Sequence, residues 1–243
     1  MHSQLAAIAA RNGGPFTRAQ ALRAGESATT IRSHLRSGRW TILRRGVYVE
    51  TALLRCAAKN SAHRHALDIA AAALALDTRD LAGSHHSAAC VHGLDLLNQP
   101  DAETVMVTRP TGYDRRSPRL AVHAAELPPD QRCVRYGVPV TSPARTVVDL
   151  ARVLPFRDAV VVADSALRDT AARAAGLHTV LSRCAGWPGI TAAAEVVFFA
   201  DPLAESAFES VSRVFLAEQG FPPPQTQVCL SDDRGPIGRV DFY

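Results

Sequence analysis

Apolar residues in the first stretch, SQLAAIAAR (3–11), recur as Leu5, Ile8 and Ala9, the spacing of one helix face. Asn12-Gly13-Gly14-Pro15 ends that helix. Thr17 and Gln20 then make a T-x-x-Q pattern, in which the hydroxyl satisfies one orphan backbone N–H and the amide reaches back to another. This predicts a short helix through Ala24, with Leu22 as its core residue and Gly25 as its stop. Ser27 caps a second helix over 28–37, which Gly38 ends. Ile31 and Leu35, four apart, face inward, leaving Thr29, Thr30, Arg32, Ser33 and Arg36 on the outer side. Residues 40–49 read as two β-rich runs around Arg44-Arg45-Gly46, a hairpin. Helix, turn, helix, hairpin is the order of a winged helix-turn-helix.

Residues 61–76 are Ala-rich, with Leu67, Ile69, Ala70, Leu74 and Leu76 placed to pack a helix. Ser84 is the N-cap of another, which carries His85, His86 and His92 before Gly93. The His86–His92 spacing is not the i,i+4 of a helical two-His metal site, and no Cys or acid completes it, so no metal site is assigned there. TVMVT (104–108) and LAVH (120–123) are strand-like, with the polar loop RPTGYDRRSP between them. VRYGVPV (134–140) is a strand pair with a Gly turn. Thr141-Ser142-Pro143 opens a helix with Val147, Val148, Leu150, Ala151 and Leu154 on its apolar face. Residues 157–168 (RDAVVVADSALR) read as helix despite the valines, because Asp158 and Asp164 break strand alternation; with Asp169 these acids are expected on a solvated face. A helix over 190–199 precedes Asp201-Pro202. ESAFESVSRVFLAEQ (205–219) is amphipathic, with Phe208, Val211, Val214 and Phe215 inward and Glu205, Glu209 and Arg213 on another face. After the stiff Phe221-Pro222-Pro223-Pro224 connector, 225–230 and 237–243 form two strands about a polar turn.

Charge changes the picture at one end. Residues 1–50 hold eight Arg against two Glu, while the net charge of all 243 residues is only +4, so a basic head precedes a slightly acidic body. On the 28–37 helix, Arg can pair bidentately with guanine while Thr and Ser contact bases or phosphates, and Arg39, Arg44 and Arg45 at the hairpin would touch backbone phosphates. The same pattern also suits a solvated basic helix pair, or a wing that makes protein contacts. The longest apolar-looking run, 69–76, is too short to span a bilayer, and no basic n-region precedes an apolar core at the N-terminus, so a cytoplasmic protein without membrane contact is expected. Five Cys, with no CxxC pair, are read as reduced thiols. Twenty-six Arg stand against one Lys, Lys59, which with the Ala richness suggests a high-GC bacterial genome.

FTRAQALRAG (16–25), TTIRSHLRSGRW (29–40) and RRGVYV (44–49) resemble the winged-helix domain of AbiEi-type antitoxins of type IV toxin–antitoxin systems. SHHSAACVHGLDLL (84–97) and VPVTSPARTVVDLAR (138–152) fit the same family. The resemblance implies double-stranded DNA as a partner, self-regulation, and a cognate toxin as a further candidate partner. The tail, ESAFESVSRVFLAEQGFPPPQTQV followed by GRVDFY, resembles the start of a Vsr-like endonuclease domain of the PD-(D/E)XK superfamily, in an arrangement of actinobacterial type. That resemblance implies Glu209 (or Glu205, one turn earlier) as the helix acid and Asp241 as the strand acid of a Mg2+ site. A (D/E)-x-K pair on a following strand would complete it. No residue follows Tyr243, and Lys59 is the only Lys, so this half of the motif is expected to be absent and any catalytic remnant is confined to Glu209 and Asp241. The expected class is therefore α+β: a winged helix-turn-helix (1–52), a mixed α/β middle domain (60–185) and an incomplete restriction-endonuclease-like α/β segment (200–243).

Three readings follow. The first is a DNA-binding, antitoxin-like transcriptional regulator with an inactive nuclease-like tail and no cofactor as given. The second is a Mg2+-dependent endonuclease of which this chain is a fragment, which leaves the enzyme question open. The third is an antitoxin that neutralises a toxin by protein contact and uses DNA only for autoregulation. The sequence leaves the operator and oligomeric state open; solvated-face readings stand beside the site readings for Glu205, Glu209 and Asp241.

Overall fold

The computed structural model describes residues 2–78, 80–98, 104–168, 174–233 and 235–243. They divide into two compact units, one of 1–93 with 100–141 and one of 94–99 with 142–243. This division cuts across the 60–185 span suggested by the sequence.

In the first unit, α1 (Ser3–Arg11) buries Leu5 and Ala9. The Thr17–Gln20 capping box forms with both reciprocal hydrogen bonds and starts α2 (Arg18–Arg23). The two-residue strand β1 (Phe16–Thr17) precedes it. Ser27 accepts from the Thr30 N–H and starts α3 (Ala28–Arg36). Gly38, at φ 69°, turns the chain out of that helix. β2 (Trp40–Arg44) and β3 (Val47–Glu50) pair antiparallel, and β1 adds to β3 in a sheet of order β1-β3-β2. Leu5, Phe16, Ala21, Ile31, Trp40 and Tyr48 share one core, in which the Phe16 ring meets Trp40 edge-on with centroids 4.7 Å apart. Leu22 is 38% exposed, contrary to expectation, and Ala21 is fully buried in its place. α2 is only six residues long, and it is the small Ala21 and Ala24, three apart, that enter the Leu5–Phe16 core.

Further along this unit, α4 (Thr51–Ala57) leads to α5 (Ser61–Ala75), which Asn60 caps, and α6 is His85–His92. A six-stranded sheet contains β4 (Ala82–Gly83), β5 (Val105–Arg109), β6 (Arg115–Ser117), β7 (Leu120–Ala124), β8 (Arg132–Arg135) and β9 (Val138–Thr141). Its order is β6-β7-β5-β4-β9-β8. Pairings β5–β7 and β4–β9 are parallel; the others are antiparallel. Ile69, Ala70 and Ala72 of α5 and Ala88 and Val91 of α6 pack on Val105, Val107, Val122, Val138 and Val140. A Cβ at Gly83 would run into the Ile69 side chain, so β4 needs glycine where α5 crosses it. Two strands of this sheet escape the sequence pattern, as β1 did: β4 is two residues long, and β6 lies inside the loop read as polar. β6 has no alternating apolar residues because it sits at the sheet edge with all three side chains exposed.

In the second unit, Ser142 accepts from the Arg145 N–H and Pro143 occupies the first turn of α7 (Pro143–Ala151). α8 (Phe156–Arg168) is buried without a break from Ala159 to Leu167 and packs against α7, α10 (Ile190–Phe199) and α11 (Ala207–Glu218). α9 (Ala174–Arg183) is a helix that the sequence pattern did not single out. β10 (Thr226–Asp232) and β11 (Gly235–Phe242) form a two-stranded antiparallel hairpin.

Two expectations are overturned here. Asp164 is not on a solvated face but fully buried, accepting hydrogen bonds from the Asp201 N–H at 2.7 Å and from Arg213 at 2.9 Å. Asp158 is partly buried and accepts from Asn98, while Asp169 lies outside the described residues. On α11 the phenylalanines do not face inward: Phe208 is 78% and Phe215 56% exposed, while Glu209, Ser210 and Val214 are buried. Paired polar groups select that face, because Arg213 reaches both Asp164 and the Phe199 carbonyl from it. Among the described residues no helix is long and apolar enough to cross a membrane.

Candidate nucleic-acid interface

α3 is held by its inner side, where Ile31 and His34 are buried and the His34 ring lies 4.5 Å from that of Trp40. Its outer side therefore has a set orientation. Thr29, Arg32, Ser33 and Arg36 are exposed there, and Arg39 follows, also exposed. Thr30 is half-buried, with its hydroxyl 2.8 Å from that of Ser27 at the cap. Arg32 Nε donates to the Ala28 carbonyl one turn back, which leaves the rest of its guanidinium outward. In the hairpin turn Arg45 is exposed.

Arg44 is placed differently from its neighbours. It is half-buried and donates through Nη2 to the Arg119 carbonyl at 3.0 Å. Burial draws its pKa down, Asp68 opposes this, and the Arg119 charge adds to the lowering. Arg44 is thus a strut between the hairpin and the start of β7 rather than a side chain projecting from the turn. The polar loop gave no sign of this pairing, since its partner lies 75 residues away.

The acids of the tail come together in part. Gln227 Nε2 donates to Glu209 at 2.9 Å and to Asp241 at 3.3 Å. Gln227 has φ 55°, a left-handed backbone uncommon for a side-chain-bearing residue. Glu209 also accepts from the Glu205 N–H and the Ser206 hydroxyl, while the Ser206 oxygen accepts from the Glu209 N–H. Ser206-x-x-Glu209 is an S-x-x-E capping pattern, a signal legible in the sequence that the metal reading of Glu209 passed over. Burial pushes the Glu209 carboxyl up, but these hydrogen bonds together hold it below the usual range. Glu205 is turned to Arg239 at 2.8 Å, away from this cluster. A groove of about 590 Å³ lies alongside, lined by Phe208, Val211, Phe215 and Phe242 together with Glu209 and Asp241. In this arrangement the Glu209 oxygens are occupied by hydrogen bonds, and the Gln227 amide donates to both carboxylates, a set of partners that suits an amide rather than a cation. Among the described residues no group of three or more His, Cys, Asp or Glu is placed to hold a metal ion.

The run VPVTSPARTVVDLAR has a structural use. Arg145, fully buried, pairs with Asp149 at 2.9 Å and stacks 4.8 Å from the Trp187 ring, which Arg152 also approaches at 4.9 Å. Arg152 donates to the Pro188 carbonyl. These contacts tie α7 to the turn before α10.

Two stretches of the chain match known protein families. Residues 3–51 match a family described as a transcriptional regulator, AbiEi antitoxin. Residues 81–196 match the AbiEi antitoxin C-terminal domain. The chain is AbiEi-like. Its curated relatives include two Mycobacterium tuberculosis proteins described as uncharacterized, MT2308 of strain CDC 1551 / Oshkosh and Rv2248 of strain H37Rv. Each is 37% identical over 102 residues, which are 42% of this chain and 38% of the relative. The matched region thus spans about two fifths of the length of those relatives. The crystal structure of the RV2827C protein from Mycobacterium tuberculosis aligns with 94% of this AbiEi-like chain and 87% of its own, at 15% identity and a TM-score of 0.48.

Proposed function

We propose that this AbiEi-like chain is a double-stranded-DNA-binding, antitoxin-type transcriptional regulator, and that residues 1–52 act as its winged helix-turn-helix. The observation that carries the reading is the outer row of α3. Thr29, Arg32, Ser33 and Arg36 are exposed on a helix whose other side is buried against Trp40, so the face they share has a set orientation. A helix face whose orientation is already set needs no backbone rearrangement to enter a major groove, and Arg at this position can bridge a guanine edge. Arg39 and Arg45 would meet phosphates on either side. The family match at 3–51 supports the regulatory role, and the match at 81–196 supports a cognate toxin as the protein partner.

The test is duplex binding followed by fluorescence anisotropy across a salt series. A 30-bp duplex selected from a random pool by the wild-type chain serves as probe. Arg32→Ala with Arg36→Ala is expected to weaken binding by about a hundredfold, which is roughly 1–2 kcal/mol for each side chain. Arg157→Ala, on a partly exposed side chain of the second unit, should leave binding within twofold. Equal effects of the two variants, or binding that ignores salt, would falsify the groove assignment.

A second reading rests on the meeting of Glu209 and Asp241 at Gln227. It makes 200–243 part of a PD-(D/E)XK endonuclease. The hydrogen bonding of Glu209 favours the capping role over this one. Mg2+-dependent nicking of plasmid by this chain, lost on Asp241→Ala, would reverse that preference.

A further inference from the structure

β10 and β11 make a sheet of only two strands, and among the described residues neither outer edge pairs with a further strand. An isolated hairpin is marginal, and an open edge carries a row of backbone donors and acceptors ready to pair with another chain. The two edges differ in their side chains. β10 reads TQVCLSD, with a single charge at its far end. β11 runs through Ile237-Gly238-Arg239-Val240-Asp241-Phe242, and Tyr243 follows. This second stretch is complementary to itself when reversed about Val240. Laid antiparallel against a second copy, with Val240 opposite Val240 of the copy, Arg239 falls opposite Asp241 of the copy and Asp241 opposite its Arg239. Ile237 falls opposite Tyr243 of the copy, a β-branched–aromatic pair, and Phe242 opposite Gly238, which leaves room for the ring. Each of these contacts occurs twice, as in any two-fold interface.

Charges on an edge strand commonly prevent pairing. Here they select one pairing. Centring the two-fold on Arg239 or on Asp241 puts like charges directly opposite each other, and so does parallel pairing in register, which is destabilising. Both charged side chains are exposed and keep capacity for a further partner. Arg239 Nη2 donates to Glu205 Oε2 at 2.8 Å, and Asp241 Oδ1 accepts from Gln227 at 3.3 Å. A guanidinium has five N–H donors and a carboxylate about four acceptor sites, so each can hold its present partner and take another across the seam. Apolar surface lies in the same place. Ile237 is 67% and Tyr243 74% exposed, and the groove of about 590 Å³ joins Asp241 and Phe242 to the exposed Phe208 and Phe215 of α11. Exposed rings grouped in this way mark an interaction surface.

We propose that the outer edge of β11 is a self-association surface. Two copies of this chain pair β11 with β11, antiparallel and centred on Val240, so that two hairpins become one four-stranded sheet. The pairing satisfies the open edge, forms the Arg239–Asp241 contact twice, and covers Ile237, Tyr243 and the Phe208–Phe215 groove. It goes beyond the DNA-binding reading of the head and does not depend on it.

The experiment is sedimentation velocity of the full chain over a wide concentration series, after thermal melting has confirmed folding of each variant. The wild type should move from the 26.0 kDa monomer toward twice that mass as concentration rises. Arg239→Asp makes the pair of positions wholly acidic, and Asp241→Arg makes it wholly basic. Each alone should weaken association at least about tenfold, because both cross-strand pairs become repulsive. Mixing the two variants should restore a dimer of one copy of each, and the double variant Arg239→Asp/Asp241→Arg should again pair with itself. In the wild type, hydrogen exchange at 237–243 should slow as concentration rises, a readout that needs no substitution. A wild type that stays monomeric overturns the inference and leaves the edge to a strand of a different protein. A dimer that neither single variant weakens, or that forms with no slowing of exchange at 237–243, overturns it as well, because the copies then meet through another face. Failure of the mixed variants to associate, with both folded, also overturns it.

Discussion

α3 and α11 are amphipathic helices of similar length with opposite outcomes. On α3 the apolar Ile31 is buried and Arg32, Ser33 and Arg36 point out. On α11 Phe208 and Phe215 point out while Glu209 and Ser210 are buried with Val214. The difference lies in what each helix packs against. α3 meets an aromatic core, Trp40 with Phe16, onto which Ile31 and the His34 ring pack. α11 meets Asp164 of α8, which accepts from Arg213, while the buried Glu209 accepts from the Glu205 N–H, the Ser206 hydroxyl and Gln227. An outward polar row with a fixed direction is available to a ligand. An inward polar row with its hydrogen bonds made is structural.

The strongest way to break the comparison is at the core that orients α3. Phe16→Ala should cost about 3–5 kcal/mol of stability in the first unit, read by denaturant unfolding, and abolish duplex binding at temperatures where the wild type binds. Retained binding would mean that the α3 row does not need that core to be set. Next in size, Glu209→Ala removes the acceptor for Glu205, Ser206 and Gln227. It should lower the stability of the second unit by about 1–3 kcal/mol and leave duplex affinity within twofold. Little loss of stability would return Glu209 to the candidates for a site.

Asp164 sharpens the comparison through pH. Burial pushes its carboxyl up to about 6, against the opposing pull of the Asp201 N–H, Ser210 and Arg213. A folded pKa above the unfolded value of about 4 means that the folded state binds the proton first. This term therefore favours folding more strongly as pH falls from about 7 to about 4, and the gain is lost as pH rises through 6. Asp164→Asn should flatten that part of the stability–pH profile, a change on the order of 1–3 kcal/mol. An unaltered profile would place the titration elsewhere. The smallest expected effect is Ser33→Ala, which should cut duplex affinity by about twofold to fivefold, on the scale of one neutral hydrogen bond of about 1 kcal/mol or less. It should leave the melting temperature unchanged, because the side chain is exposed.

Much of the head was legible in the chain. The Thr17–Gln20 box, the Ser27 cap and the hairpin turn at 44–46 depend on residues a few positions apart, and all are present. The tail was harder. Ser206 and Glu209 carry a visible capping pattern, yet the periodicity of Phe208, Val211 and Phe215 outweighed it and put the wrong face inward. Gln227 gave no signal, since its meeting with both acids depends on a left-handed backbone and a hairpin register. Burial pushes up the thiols of Cys90, Cys133 and Cys184, which lowers their thiolate fraction.

By itself the sequence determined much of the local grammar of this AbiEi-like chain: where the capped helices start, where hairpins turn, and the concentration of Arg in the first 50 residues. These follow from hydrogen bonds and steric limits that neighbouring residues impose on each other. Tertiary structure alone decided which face of α11 is buried, that Asp164 is an interior group, and that the hairpin of the head is tied to Arg119. Those outcomes depend on partners 49 and 75 residues away. A buried charge or a strut between two elements is stable only when its distant partner is already in place to compensate the loss of water.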